Sequence, residues 1–521
     1  MSETDQLEIT ARVNAILNRR PAVGLAIGVV RNGSLEYFHA HGVADIDSRA
    51  PVTEDTVFRI ASITKTVTAI AVVQLWEQGL IDLDAPAADY LRAYRLVPAK
   101  AVFRPVTVRQ LLTHTSGIPE VVHPSDLLRR LFGETVPAGT PVPALTEYYR
   151  GRLRVQSEPG TRFVYTDHGF ATLGQIVEDV SREPLDRYFR EHIFQPLGMT
   201  DTDLVRSARI KDRLATGYTL GPHGPTPVAD YEMVPAAASS VYSTPRDMAR
   251  YLAALLGGGA NEFGQVLKPA TLATMFEPHY QPDPRIPGIG LGFWRGTTGG
   301  HAIVEHGGIL PGFNSQIFVA PDAGLAVMAF TNGARAAMLW LPGETAALLN
   351  HLLGVPGEAI RTDSPHHPEI WPELCGRYQL PARLTDARAR EMVGAGIEVF
   401  TRGDQLRLRV LTPIPTLYRG LALHPDDPTD PYAYRIDLTR YGIGTARILF
   451  TPDKVHLDLL PLTLHKRPPA TNPRLWVIGT LAALAALATR RHRRHRRHRP
   501  AAQPTVPAGG SPRTSTHNAA V

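Results

Sequence analysis

The sequence predicts an α+β fold for the larger part of the chain, followed by a small antiparallel β domain. Apolar residues recur with helical spacing in several separate stretches between the N-terminus and residue 256. From residue 290 to 331 the pattern changes to short apolar runs separated by turn residues, which is typical of antiparallel strands. Similar runs return after residue 400. We therefore expect helices inserted between the N-terminal and C-terminal strands of one sheet, with a second sheet beyond it.

Local signals place the elements of the first domain, residues 1–355. A helix over residues 6–19 precedes a hairpin with strands at 23–30 and 35–40, joined by Asn32 and Gly33, which are a strong hairpin signal. Gly79 is placed to end the helix that begins at Ser62. The further predicted helices are 107–112, 169–181, 184–195 and 245–256, and the predicted strands are 290–294, 302–306, 315–320 and 325–331.

The second domain is predicted from its alternating pattern. Residues 356–369 are predicted to be a linker, because 361–368 are polar, contain proline and lack periodicity. Residues 370–467 then form the small β domain. Its predicted strands are 405–410, 434–438, 446–450 and 455–460.

Two further segments follow the β domain. Residues 475–489 are apolar and uncharged, and we predict a transmembrane helix, with a helix lying on the membrane surface as the alternative because roughly 20 residues are needed to span a hydrocarbon core. Residues 490–521 form a basic tail that we expect to be disordered. Its arginines are expected to contact anionic lipid head groups, with nucleic acid or, through the histidines, metal as alternatives. The arginines that begin this tail are Arg490, Arg491, Arg493 and Arg494.

Composition restricts the classes of function. Residues 490–521 contain eight arginines and no acidic residue. Of the net charge of +6, residues 1–489 therefore contribute −2, so they have no surplus of positive charge for binding nucleic acid. Cys375 is the one cysteine, which excludes an internal disulfide and a thiolate metal cluster.

The first residues lack the features of an export signal, whereas the positive-inside rule places the folded domains outside the cytoplasm. We therefore leave the side of the membrane open.

Ser62 and Lys65 are the first residues that indicate chemistry. They lie three residues apart at the start of an apolar helical run, so both side chains project from one face. A serine hydroxyl is a weak nucleophile until a neighbour accepts its proton, and a lysine one turn away can do so if its pKa is lowered. The alternative is a helix cap at Ser62 and a solvated Lys65.

Two later stretches supply partners for this pair. Tyr165 offers a phenol just before a predicted helix. His306 offers an imidazole at the end of a predicted strand, followed by Gly307 and Gly308, which let a substrate approach the backbone. Taken alone, Tyr165 would be a packed aromatic residue and His306 a polar residue at a strand end. We assign His114 to a turn, because the residues after it are those of a helix end.

These ordered motifs resemble those of the serine β-lactamase and penicillin-binding-protein superfamily, closest to its class C-like branch of esterases, D-aminopeptidases and D-alanyl-D-alanine carboxypeptidases. The resemblance runs from about residue 15 to 345 and includes the run 106–117, which is typical of that branch. It implies a β-lactamase-like domain with an antiparallel sheet flanked by helices and a helical subdomain. The domain 370–467 resembles barrel-like appendages that narrow the active-site mouth in some members, and a simple spacer is the alternative.

The resemblance also implies an acylation and deacylation cycle that needs no metal or cofactor. Ser62 would attack a carbonyl carbon, and Lys65 and Tyr165 would share the general base and general acid roles. His306 would take the position that is usually Lys or His in the family's third motif, here His306-Gly307-Gly308.

An oxyanion site is implied as well. The backbone N–H groups of Ser62 and Ile309 would bind the oxyanion, with Gly307 and Gly308 beside them.

Asp167 is a departure from the family pattern, because the family's second motif, here Tyr165-Thr166-Asp167, usually ends in Asn. An ionised Asp167 would favour the ammonium form of Lys65 and move the base role toward Tyr165. A protonated Asp167 would instead serve as a hydrogen-bond donor. The departure also weakens the case for β-lactam hydrolysis, since that Asn ordinarily contacts the substrate amide.

These observations predict a serine hydrolase that acts through an acyl-enzyme on ester or D-amino-acid peptide or amide carbonyls. The expected partner of the folded domains is a small-molecule or peptide substrate, and nucleic acid is not expected there. The alternative is a catalytically silent binder that keeps the penicillin-recognising fold, for instance a membrane-tethered peptidoglycan sensor.

Overall fold

A computed structural model describes residues 3–123, 134–357, 359–361, 363–381, 394–411, 419–458 and 461–468. Among these residues, none of the helices has the length and hydropathy needed to cross a bilayer. The apolar segment 475–489 and the tail 490–521 lie outside the described residues, so their expected membrane contacts stay predictions.

Eleven α-helices occur in the described part of the chain, several of them only one turn long. They are α1 (Glu3–Arg19), α2 (Thr64–Glu77), α3 (Val108–Leu112), α4 (Leu145–Tyr148), α5 (Asp167–Ser181), α6 (Leu185–Phe189), α7 (Ala236–Ser239), α8 (Pro245–Leu256), α9 (Pro269–Phe276), α10 (Ala337–Leu352) and α11 (Trp371–Leu374).

The strands fall into a group before α11 and a group after it. The first group is β1 (Gly24–Arg31), β2 (Ser34–Asp45), β3 (Ala50–Pro51), β4 (Phe58–Arg59), β5 (Arg95–Pro98), β6 (Thr135–Pro137), β7 (Arg152–Val155), β8 (Tyr218–Gly221), β9 (Gly224–Pro227), β10 (Tyr231–Met233), β11 (Tyr242–Ser243), β12 (Trp294–Thr298), β13 (His301–Leu310), β14 (Phe313–Ala320) and β15 (Leu325–Thr331). The second group is β16 (Gly376–Gln379), β17 (Ile397–Arg402), β18 (Gln405–Val410), β19 (Leu421–Ala422), β20 (His424–Asp427), β21 (Asp430–Asp437), β22 (Thr445–Thr451), β23 (Lys454–Leu457) and β24 (Leu462–Arg467).

One seven-stranded antiparallel sheet organises the first domain, in the order β12-β13-β14-β15-β1-β2-β3. The N-terminal hairpin therefore joins the C-terminal strands through β1 and β15, as the sequence predicts. Alternate residues of β1 face opposite layers: Ala26 and Val30 pack on the side of α2, α5 and α8, whereas Leu25 and Ile27 pack on the side of α1 and α10. We call these sides the front and the back face of the sheet.

Two helices of the front layer, α2 and α8, form for different reasons. From Thr64 to Leu75 every residue of α2 is buried, because this helix passes through the core between the sheet and the other helices. In contrast, α8 is amphipathic and starts with a cap: the Thr244 side chain accepts from the backbone N–H of Asp247, and Pro245 occupies the first turn.

The second domain is a nine-stranded antiparallel sheet in the order β19-β18-β17-β16-β24-β23-β22-β21-β20. Its two outermost strands, β19 and β20, are adjacent in the chain, with Leu423 alone between them. The sheet must therefore curl until its edges meet, and the aliphatic and aromatic side chains inside it form a separate core. This geometry supports the barrel-like form that the resemblance implies.

Three predicted elements need correction. Residues 290–293 are not a strand, because Gly292 has a φ of 78° and leaves no room for a Cβ against Ala69 of α2; the strand begins at Trp294. The strand predicted to end at His306 continues to Leu310, since it stays paired with β14. The helix predicted over 184–195 runs without a break over 185–194, but its second half, Arg190–Phe194, is π-helical.

Candidate active site

Ser62 lies in a short 3₁₀ turn, Ala61–Ile63, that leads directly into α2. Ala61 is fully buried and has a φ of 50°, a left-handed conformation that strains an alanine. Such strain is tolerated only where the surrounding structure enforces it, and it concentrates at functional sites. The turn presents Ser62 to a cavity that its side chain lines.

Lys65 is the buried centre of the site. Its ammonium group donates to Ser62 Oγ at 3.1 Å, to Asp167 Oδ1 at 2.5 Å and to the backbone oxygen of Ala238 at 3.0 Å. An ammonium group has three N–H donors, and the Tyr165 oxygen, which also accepts from Lys65, shares them with these three acceptors. The Lys65 side chain has no exposed surface, so its charge is balanced inside the protein.

The protonation of Lys65 follows from two opposing effects. Burial favours the neutral amine, but the nearby Asp167 carboxylate and the Tyr165 oxygen favour the ammonium ion more strongly, and the pKa of Lys65 is raised above its ordinary value. Lys65 is therefore an ammonium ion at neutral pH. It can donate hydrogen bonds to Ser62, but it cannot accept the Ser62 proton in this state.

Asp167 is positioned by the start of α5. Thr166 caps this helix, with its side chain accepting from the backbone N–H of His168 at 3.2 Å. Asp167 is the first residue of the helix and only 3% exposed. A carboxylate in the first turn of a helix is favoured by the helix dipole and, here, by the Lys65 ammonium. Of the two alternatives for Asp167, the geometry favours the ionised one.

Tyr165 packs against two aromatic rings. His114 lies 4.3 Å from the Tyr165 ring and Trp294 lies 6.0 Å from it, centroid to centroid. The Lys65 ammonium is 4.8 Å from the centre of the same ring and is hydrogen-bonded to the phenol oxygen. The ring thus packs against three side chains, and the phenol shares the cavity with Ser62.

His114 supports the segment that carries Tyr165. Its backbone oxygen accepts from the N–H of Val164 at 2.8 Å, and its Nδ1 accepts from the N–H of Thr166 at 3.2 Å. These two contacts bracket Tyr165. The sequence places His114 in a turn and contains no signal that this turn reaches Tyr165, some 50 residues away in the chain.

His306 is buried and neutral. Its Nδ1 donates to the backbone oxygen of Gly307 at 2.7 Å, which leaves Nε2 as the acceptor nitrogen. Burial, together with repulsion from the Lys65 ammonium, lowers the pKa of His306 to about 3. His306 also lines the cavity, beside Trp294.

Gly308 permits the close approach of β13 to the Ser62 turn. A Cβ at this position would overlap the backbone oxygen of Ile60 and the Ser315 hydroxyl and would lie 2.9 Å from Ala61 Cβ. The Ser315 hydroxyl donates to the same Ile60 oxygen at 2.7 Å. The sequence predicts that this glycine lets a substrate approach the backbone, but its packing against the turn is sufficient to require it.

Gly307 and Ile309 occupy the neighbouring positions of β13. A Cβ on Gly307 would lie 2.6 Å from Gln316 Oε1, on the opposite face of the strand from Gly308. Ile309 is paired with Asn314 of β14, and its side chain is 53% exposed at the rim of the cavity. Both residues line the cavity that contains Ser62.

The second domain contributes to this cavity, whose volume is about 1580 Å³. Leu380 and Leu462 line it, and Leu462 packs in one apolar cluster with Phe163. A charged contact secures the same interface, because Arg285 donates to Asp430 at 2.7 Å. The β domain is therefore packed against the mouth of the site, and its residues are part of the cavity wall.

A group of potential metal ligands lies elsewhere in the described residues. Glu183, Glu191 and His192 have ligand atoms within 4.8 Å of one another. However, Arg187 already pairs with Glu191 at 2.9 Å. None of these residues lines the cavity that contains Ser62.

Comparisons with known proteins agree with this architecture. The chain is 29% identical to penicillin-binding protein 4 of Amycolatopsis lactamdurans, over 71% of this chain and 96% of that protein. It is 27% identical to the esterase EstB of Burkholderia gladioli, over 63% of this chain and 92% of that protein. The octameric penicillin-binding protein homologue from Pyrococcus abyssi shares the fold with a TM-score of 0.57, at 24% identity, over 89% of this chain and all of that chain.

The family assignment rests on most of the first domain. The Beta-lactamase family model matches residues 9–350, a range that contains Ser62, Lys65, Tyr165 and His306. The family and these relatives together point to serine hydrolase activity. The chain belongs to the Beta-lactamase family.

Proposed function

We propose that the protein hydrolyses ester or D-amino-acid amide bonds through an acyl-enzyme formed on Ser62. The observation that carries this proposal is the contact of one buried ammonium group, that of Lys65, with the Ser62 hydroxyl and the Asp167 carboxylate. A serine without a chemical role does not require a fully buried lysine whose Nζ lies 3.1 Å from its Oγ. The esterase and the penicillin-binding protein among the relatives support the same substrate classes.

In this proposal Tyr165 is the general base. Because Lys65 is already an ammonium ion, the base is the phenolate form of Tyr165, whose oxygen is hydrogen-bonded to that ammonium and takes the proton of Ser62. The Ser62 oxygen then bonds to the substrate carbonyl carbon. Return of the proton to the leaving group breaks the original ester or amide bond. Water, activated in the same way, would release the acyl group.

The remaining residues bind substrate. The backbone N–H groups of Ser62 and Ile309 would stabilise the oxyanion, and loss of one such donor costs about 3 kcal/mol in the transition state. His306, which is neutral, would accept a hydrogen bond from the substrate through Nε2. Neither role requires a change in the charge of the imidazole.

The test is turnover of p-nitrophenyl acetate and of a D-alanyl-D-alanine peptide. Ser62→Ala should abolish turnover, and labelling by a fluorophosphonate should map to the peptide that contains Ser62. Ser48→Ala, an exposed serine outside the cavity, is the matched control. Labelling at Ser62 without turnover would favour the silent binder, and labelling at another serine would contradict both.

A further inference from the structure

The cavity that contains Ser62 also reaches the back face of the sheet. Glu305 and His306 are neighbours in β13, so their side chains point to opposite faces, and both line the cavity. The pairing of β12 with β13 ends at Trp294 and Glu305. Beyond that point, within the described residues, β13 is paired only with β14. The cavity therefore passes around an open edge of β13.

Its part behind the sheet, which we call the back lobe, has mostly apolar walls. Ile303 and Phe318 contribute from the sheet, Met338 and Ala346 from α10, and Ile443 from the β domain. Met338 is 52% exposed, although large apolar side chains are usually covered. An apolar, concave surface that joins a reactive site is the usual form of a ligand pocket.

The charged residues of the back lobe are paired within the protein. Arg435 and Arg447 line the lobe, and both contact the Asp426 carboxylate, at 2.6 and 2.8 Å. Asp458 lines the same wall and accepts from the backbone N–H of Arg447 at 2.9 Å. Arg12 and Glu305 also line the cavity on this side of the sheet; Arg12 is paired with Glu8 at 3.5 Å, and Glu305 accepts from Gln316 at 2.6 Å. Each of these charged side chains therefore has a partner within the protein, so an uncharged ligand fits the wall best.

We propose that the back lobe binds the uncharged apolar acyl chain of an ester whose carbonyl carbon is attacked by Ser62. This inference rests on the proposed function and narrows its substrate class. The chain would run from Ser62 around the open edge of β13, past Gly307, to Met338 and Ala346. The cavity of about 1580 Å³ is larger than pockets that hold drug-sized ligands, so it has room for a chain beyond the reacting group.

The experiment uses the full chain and p-nitrophenyl esters from acetate to decanoate. We expect kcat/KM to rise with acyl length by up to about fourfold for each buried methylene. Ala346→Trp fills the lobe and should lower the ratio of decanoate to acetate turnover at least tenfold. Ala302→Trp, at an exposed position of β13 outside the cavity wall, is the matched control and should leave that ratio unchanged.

A second variant tests the same inference if Ala346→Trp does not fold. Met338→Lys places a charge on an exposed wall of the lobe and should lower the same ratio, because an apolar chain would desolvate the ammonium. Equal turnover of acetate and decanoate by the native protein, or an unchanged ratio in both variants, would overturn the inference while leaving the proposed function intact. Absence of turnover with every ester would contradict this inference, and absence of turnover with the D-alanyl-D-alanine peptide as well would contradict the proposed function.

Discussion

Lys65 Nζ lies 2.5 Å from Asp167 Oδ1, and both side chains are almost completely buried. The two residues are 102 positions apart in the chain. Their ion pair sets the charge on the group that contacts Ser62, because it overcomes the effect of burial on the pKa of Lys65. The pair therefore connects Asp167, where the family usually has Asn, to Ser62, the proposed nucleophile.

Replacing Asp167 by Asn should change the pH dependence of the reaction. Without the carboxylate, burial becomes the dominant effect on Lys65 and lowers its pKa, so that a neutral amine becomes available as a base. We expect the acid limb of the kcat/KM profile for p-nitrophenyl acetate to move to lower pH by about one unit or more.

Asp212→Asn is the control for this variant, since Asp212 is exposed and outside the cavity wall. A profile of Asp167→Asn that coincides with that of the native protein would show that the ion pair does not control the base.

His306→Asn should lower the rate without moving either limb of the profile. Because burial and Lys65 hold the pKa of His306 at about 3, the imidazole stays neutral between pH 5 and 8. Loss of one hydrogen bond to substrate would reduce kcat/KM by about tenfold. The measurement is kcat/KM from pH 5 to 8 for both proteins. A limb that disappears in the variant would show that His306 titrates during the reaction.

Gly308→Ala should destabilise the protein and impair catalysis together. The new methyl group would overlap the Ile60 oxygen and the Ser315 hydroxyl, and relief requires movement of the turn that carries Ser62. Overpacking of this kind costs about 1–3 kcal/mol, measurable by urea unfolding. Gly221→Ala is a suitable comparison, because the nearest atom to its Cβ would be 3.9 Å away. Equal stability of the two variants would refute this account of Gly308.

Glu305→Gln should stabilise the protein at high pH only. Burial raises the pKa of Glu305 to about 7, although Gln316 donates to it at 2.6 Å. The folded state therefore binds a proton that the unfolded state loses near pH 4.5, and stability falls as the pH rises from there through 7.

The neutral amide avoids this loss, so the variant should gain on the order of 3 kcal/mol above pH 7 and nothing below pH 4. Urea unfolding across this range, with the exposed Glu262→Gln as control, measures the difference. A gain that does not depend on pH would assign the effect to packing instead of titration.

Local patterns were sufficient for several elements. The helix Pro245–Leu256 and the strand Leu325–Thr331 have the predicted bounds, because a capping threonine with proline and a turn with glycine mark their starts. The segment 290–293 was predicted wrongly as a strand. Its apolar residues suit a strand, but Gly292 bends the backbone onto α2, a contact that periodicity does not reveal.

The sequence by itself determined the types of group at the candidate site and their order: a serine and a lysine three residues apart, a tyrosine before a helix and a histidine on a strand. Tertiary structure decided the protonation states of those groups. Lys65 is an ammonium ion and His306 is neutral because burial and contacts between distant segments set the two pKa values. The open edge of β13, and with it the back lobe, likewise arises only when separate strands and the second domain come together.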